Sequence, residues 1–267
     1  MFDAFNGEGA FVEDVEEEIQ DEFDFDLRTD LIEQLQGRIT FTQWLGEEVA
    51  VNAQHFAVGV QLKDPEKFMV VIDAIRDQVD DDDLEEVDFK GTTFWQQADE
   101  RIEEMRERFK NNDFGPPFEV HIPQYCFGII ENHFVMSNSP DFFKLAIETS
   151  HGKNPSLAES EDYEYVARQM TKLLGTDVPG AVMFFRPAES YEMYFKLAEN
   201  ESTKGFLDEM ADDNKFARGV RDALENNPLP DFEDVRKYFQ PTGAFFTNDD
   251  TGYHMLGFQL RGKENER

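Results

Sequence analysis

Apolar runs in this sequence come in pairs, each closed by a polar turn and most followed by a stretch with helical spacing. The clearest pair is Tyr125-Cys126-Phe127-Gly128-Ile129-Ile130 and His133-Phe134-Val135-Met136-Ser137, joined at Glu131-Asn132. Runs joined so tightly close only as an antiparallel hairpin, because a parallel crossover needs a dozen or more residues. The arrangement recurs. Residues 38–45 and 54–62 flank the polar link 46–52. Val87-Asp88-Phe89-Lys90 runs into Gly91-Thr92-Thr93-Phe94-Trp95. Residues 243–247 and 253–260 flank Asn248-Asp249-Asp250-Thr251-Gly252, and residues 180–185 form one more apolar strand.

Helical spacing fills the intervals. Phe11, Val15 and Ile19 recur every four residues within 8–35, and Leu27, Leu31 and Leu35 continue to Gly37, read as a helix stop. Asp64-Pro65 opens a helix carrying Phe68, Val71, Ile72 and Ile75 that ends near Val79, ahead of Asp80-Asp81-Asp82-Asp83. Further helices are expected over 98–109, where Glu103 and Arg106 have ion-pair spacing, from Ser139-Pro140, over 159–174 before Gly175, and over 190–198. Residues 111–117 break the chain, and residues 200–240 read as helix and loop.

Hairpins interleaved with helices make this an α+β chain: an antiparallel sheet built from hairpins with helices packed on one face, with length enough for two related subdomains. The boundaries expected are an acidic helical segment over 1–36, a first subdomain over 37–155, a second over 156–262, and a polar tail over 263–267. A doubly wound parallel sheet would need strict strand-helix alternation, which is absent.

Charge narrows the function classes. Asp plus Glu number 58 against 25 Lys plus Arg, a net charge of -33, so the chain repels nucleic-acid phosphates and anionic lipid headgroups. A protein or a small apolar ligand is the partner class left open. The 27 Phe residues imply a real core beneath that surface. Cys126, alone in the sequence, lies in an apolar run and reads as a buried structural thiol. No run approaches the roughly 18 apolar residues of a membrane span, and Met1-Phe2-Asp3-Ala4-Phe5 lacks the features of a signal peptide.

Motifs for chemistry are missing. His55, His121, His133, His151 and His254 have no mutual spacing that would hold zinc, and no phosphate-binding loop or nucleophile elbow occurs. No catalytic residue and no cofactor follow from the sequence. Calcium is the one metal worth weighing, through Asp80, Asp82 and Asp83, through Asp21-Glu22 with Asp24 and Asp26, or through Asp249 and Asp250. None of these runs has the glycine that an EF-hand loop requires, so solvated acidic loops are the simpler reading. Phe142, Phe143, Phe184, Phe185, Tyr191, Tyr194 and Phe195 would either fill the core or line an apolar groove.

A family resemblance adds a setting. It rests on the Gly37-Arg38-Ile39 strand entry, on Ala57-Val58-Gly59-Val60-Gln61-Leu62 running into Lys63-Asp64-Pro65-Glu66, and on Phe89-Lys90-Gly91-Thr92-Thr93-Phe94. The run from Phe127 to Pro140 followed by Ser156-Leu157-Ala158, and Pro241 to Asp249 followed by Gly252-Tyr253-His254, belong to it too. Across most of residues 27–260 the sequence resembles a family of uncharacterised secreted or membrane-anchored bacterial proteins, abundant in planctomycetes. The resemblance implies an extracytoplasmic location, periplasmic or secreted, and supplies no catalytic residue. The expected function is a non-enzymatic envelope or secreted protein that binds or supports. The alternatives are a hydrophobic-ligand or lipid-binding protein using a groove between sheet and helices, and a hydrolase using acidic residues with or without calcium.

Overall fold

The computed structural model describes residues 25–46, 53–77, 83–110 and 121–261. They divide into two compact units, the first drawn from residues up to Asn154 and the second formed mainly from Pro155 onward. The N-terminal stripe of Phe11, Val15 and Ile19 lies outside the described residues, as do Asp80, Asp81 and Asp82, the break at 111–117 and the tail at 263–267.

The first unit contains β1 (Leu35–Leu45), β2 (Gln54–Leu62), α1 (Pro65–Asp77), β3 (Leu84–Phe89), β4 (Thr92–Gln97), α2 (Asp99–Lys110), β5 (Cys126–Ile130), β6 (His133–Ser137) and α3 (Pro140–Ser150). Its six strands are ordered β1-β2-β6-β5-β4-β3, so each hairpin stays intact and β6 docks beside β2. The pairings β2–β6, β6–β5, β5–β4 and β4–β3 are antiparallel. Lys63 N–H donates to Gln34 O at 2.7 Å at one end of the β1–β2 pair, and Gln43 Nε2 to Gln54 Oε1 at 2.7 Å at the other. The turn of the β3–β4 hairpin places Lys90 and Gly91 at φ 55° and 81°, the pair of left-handed residues that matches strand twist in a tight hairpin.

Two expectations give way here. Leu35 and Gly37 do not end a helix. Residues Leu27–Leu31 and Ile32–Gln34 form only short π and 3-10 turns, and β1 begins at Leu35 with Gly37 inside it at φ 73°. The helices also do not keep to one face of the sheet. On one face Phe142, Phe143 and Ile147 of α3 pack on Ala57, Phe94, Cys126, Ile130 and Val135. On the opposite face Phe68, Val71 and Ile72 of α1 pack with Leu62 and Trp95, and Phe127, Ile129 and Phe134 border them. The physical reason is in the strands. Phe94-Trp95 and Phe127 to Ile130 place apolar side chains at successive positions, so both faces must be covered.

The second unit contains α4 (Glu161–Leu174), β7 (Ala181–Phe185), α5 (Pro187–Glu199), α6 (Glu201–Ala211), α7 (Lys215–Asn226), α8 (Phe232–Val235), β8 (Thr242–Asp249) and β9 (Gly252–Gln259). Its strands form an antiparallel sheet in the order β7-β8-β9. Val166 and Met170 of α4 pack on Phe245, with Phe184, Phe258 and Leu260 around them. Gly243 permits this closeness, since a Cβ there would lie 2.6 Å from Val166 Cγ1 and 2.7 Å from Phe258 Cζ. Arg186 locks the entry to α4 by donating from Nε and Nη2 to the Asp162 carboxylate at 2.6 and 2.9 Å.

Candidate functional site

Among the described residues, the acidic loops serve the backbone and local ion pairs; Asp21, Glu22 and Asp24 lie outside them. Asp26 caps the turn after it, its carboxylate accepting from Thr29 N–H at 2.7 Å, and that bond holds its pKa below the ordinary value. Asp83 pairs with Arg101 Nη1 at 2.9 Å, which ties the start of β3 to α2. Asp250 is exposed beyond the end of β8. Among the described residues, no group of three or more His, Cys, Asp or Glu side chains is placed to hold a metal. Asp80 and Asp82 lie outside those residues.

Asp249 is the most engaged of the calcium candidates. Its Oδ1 accepts from Thr251 N–H at 2.7 Å and from Thr251 Oγ1 at 2.6 Å, and lies 3.2 Å from His254 Nε2. The two threonine donors, with His254, draw its pKa down to about 2. An Asp, a hydroxyl and a His together invite comparison with a catalytic relay. A relay needs the acid on one ring nitrogen and the hydroxyl on the other. Here Thr251 Oγ1, at 2.9 Å, and Asp249 both meet Nε2, so the cluster closes the β8–β9 turn and offers no path for a proton.

The aromatic residues separate into local packings. Phe142 and Phe143 are buried under α3, where Phe143 stacks on Phe94 with ring centres 4.8 Å apart. Phe184 meets Tyr163 edge-on at 5.2 Å. Cys126 is buried as expected, and desolvation pushes its thiol up to about 12, which leaves almost no thiolate near neutral pH.

Tyr191 and Phe195 belong to a different feature, which the sequence did not reveal. α5 and the segment around α8 enclose an open cleft of about 460 Å³ lined by Glu192, Phe195, Lys196, Glu199, Asp231, Phe232 and Glu233. Its base is aromatic. Phe195 meets Phe232 edge-on at 5.1 Å, Phe232 stacks on Phe239 at 6.0 Å, and Phe239 stacks on Tyr191 at 4.3 Å. Arg236 reaches across the wall, donating from Nη2 to Glu192 Oε2 at 2.6 Å and from Nε to Glu233 Oε1 at 2.9 Å. Lys196 pairs with Glu192 at 2.8 Å. Lys196 and then Arg236 lower the Glu192 pKa, while Glu233 and Glu192 raise that of Arg236. Of the four carboxylates around the cleft, Glu192 and Glu233 pair with Lys196 and Arg236, and Glu199 has no cationic partner among the described residues. The signal available in the sequence was Glu192 with Lys196 one turn apart beside Tyr191, Tyr194 and Phe195. The partners Asp231 to Arg236 lie some 40 residues further along the chain, a separation no local pattern spans.

No family model, curated protein or solved structure matches this chain. No helix among the described residues is long and apolar enough to cross a membrane.

Proposed function

We propose that the chain is a non-enzymatic binding protein of the bacterial envelope or secreted space, and that the cleft beside α5 receives a cationic group on an apolar stem, such as a lysine side chain of a partner protein. The observation that carries the reading is the combination of an aromatic base with surplus carboxylates in one open concavity. Phe195 and the edge of Phe232, whose ring already carries the Arg236 guanidinium at 4.8 Å, offer apolar surface to a methylene stem, and Glu199 offers an uncommitted negative charge to its cation. A net charge of -33 adds long-range attraction for basic partners. The extracytoplasmic setting is supported by the family resemblance. Among the described acidic residues, Asp26, Asp83 and Asp249 commit carboxylate oxygens to a cap, an ion pair and a turn.

A pentalysine peptide titrated into the protein by calorimetry tests the reading at low and moderate salt. Glu199→Lys is expected to weaken binding at least fivefold. Glu104→Lys, the same charge change on an exposed position of α2, is expected to weaken it by less than twofold. Equal losses in the two variants would mean that the peptide sees only diffuse negative charge, and the cleft would lose its role.

A further inference from the structure

The outer strands of the two sheets differ in how they protect their open edges. Natural edge strands are kept from pairing by charge, proline, bulges or brevity. β3 follows the rule, with Glu85, Glu86 and Asp88 in six residues, and β7 is only five residues long. β9 has none of these devices. It reads Gly-Tyr-His-Met-Leu-Gly-Phe-Gln, eight residues without Asp, Glu, Lys, Arg or Pro, in a chain that is 31% charged. Tyr253 is 87% exposed and Met255 63% exposed.

Hydrogen bonding fixes which groups of β9 face outward. Leu260 N–H donates to Pro241 O at 2.9 Å, beyond the end of the β8–β9 ladder, and Gly180 N–H donates to Phe246 O at 2.8 Å on the far side of β8. Alternation along the strand then points the main-chain groups of Leu256 and Phe258 toward β8, and those of Tyr253, Met255 and Gly257 away from the sheet. Among the described residues, these outward groups form a row of donors and acceptors with no strand beside it.

We propose that this edge pairs with β9 of a second copy, antiparallel about a two-fold axis through Met255, so that two three-stranded sheets become one of six strands. This register is complementary to itself. Met255 faces Met255 of the second copy, and each pair of outward residues exchanges two main-chain hydrogen bonds. Tyr253 falls opposite Gly257 of the second copy, twice by symmetry, so an exposed ring covers a glycine that leaves room for it. The remaining surface of each copy is strongly negative, so repulsion opposes pairing at low salt and is screened at high salt. A second copy fits this edge better than an unrelated strand because the match of ring to glycine arises from β9 itself, at two symmetric places.

Sedimentation equilibrium on the whole chain tests the pairing at low and high salt. A dimer is expected whose dissociation constant falls as salt rises. Met255→Pro removes an outward N–H without touching the β8–β9 ladder and is expected to raise the dissociation constant at least tenfold with unchanged far-UV circular dichroism. Met255→Glu, at a residue 63% exposed, sets two like charges face to face at the two-fold axis; it is expected to raise the constant several-fold and decides the matter if Met255→Pro does not fold. A chain that stays monomeric at every concentration and salt overturns the proposal. So does a dimer that survives Met255→Pro in folded form, or one that is indifferent to Met255→Glu.

Discussion

A single methyl group placed at Gly128 tests the packing logic of the first unit. One row of residues crosses the sheet beneath α3: Gly59, Val135, Gly128, Phe94 and Val87 are successive partners in register. Glycine alternates with a larger residue from Gly59 to Phe94, which lets Phe94 tilt its ring against Phe143, and both rings are fully buried. A Cβ at Gly128 would lie 2.8 Å from Phe94 Cβ, 3.1 Å from Phe94 Cα and 3.2 Å from Thr93 O. Ordinary carbon contacts sit at about 3.5–4.0 Å. The crowding atoms are main chain or fixed directly to it, so no rotamer change relieves them and the strands must part. Such overpacking costs about 1–3 kcal/mol. The reduced freedom of an unfolded Ala offsets about 0.4–1 kcal/mol of it. The net loss for Gly128→Ala is about 1–2 kcal/mol. Trp44 and Trp95 are the two tryptophans of the chain and both belong to the first unit, so fluorescence during urea unfolding reads that unit. With a slope of about 2 kcal/mol per molar, the midpoint should fall by roughly 0.5–1 M. Gly59→Ala is the control in the same row, because its Cβ would meet only Val135 Cγ2 at 3.9 Å, and its midpoint should stay or rise slightly. A midpoint for Gly128→Ala equal to wild type, or equal losses in both variants, would refute the reasoning from close approach.

Two further outcomes follow from the titrating groups. The double hydrogen bond from Arg186 holds the Asp162 carboxyl down to about 2. A folded pKa below the unfolded one stabilises at pH above the unfolded value of about 4, and that contribution is lost as pH falls through the folded value. Wild type should exceed Arg186→Met by about 1–2 kcal/mol near neutral pH, a figure reduced for the pair's partial exposure. The advantage should shrink between about pH 4 and pH 2, as read from thermal unfolding of both proteins, and a difference independent of pH would detach it from this carboxylate. The Cys126 thiol, raised to about 12 by desolvation, should react with a colorimetric disulfide reagent only after denaturant is added, and prompt reaction of the native protein at pH 8 would contradict its burial.

The hairpins were legible because their determinants are local. Alternating apolar residues and a Lys90-Gly91 or Glu131-Asn132 turn lie within a few positions of one another, and the structure places left-handed backbone at Lys90, Gly91 and Glu131. Helix starts were legible for the same reason: Ser139 accepts from Phe142 N–H at 3.2 Å, and Asp64 accepts from Lys67 N–H at 3.1 Å. The segment from Leu27 to Leu35 misled because leucine at every fourth position fits a helix, whereas Lys63 captures the Gln34 carbonyl and draws the chain into the sheet. That bond joins residues far apart in sequence. The burial of both sheet faces could have been read from Phe94-Trp95 and from the unbroken apolar run of β5. The hairpin pattern set strand direction without saying how many faces are covered.

Charge explains why the site was less legible than the fold. In so acidic a chain a cluster of carboxylates carries little information, because clusters arise wherever loops are solvated. Asp26, Asp83 and Asp249 bear this out by spending their oxygens on turns and neighbouring side chains. The informative features run against the background. One is a place where carboxylates gather around buried aromatic rings, as at Phe232, since desolvation there gives a charge more weight than it has in water. The other is a surface strand from which charge has been left out. β9 is such a strand, and the lack of charge is visible in the sequence. Its meaning needs the structure, because only the direction of the Leu260 hydrogen bond shows that Tyr253, Met255 and Gly257 turn their main-chain groups outward. An uncharged strand whose main-chain groups point outward differs in this from an ordinary hairpin.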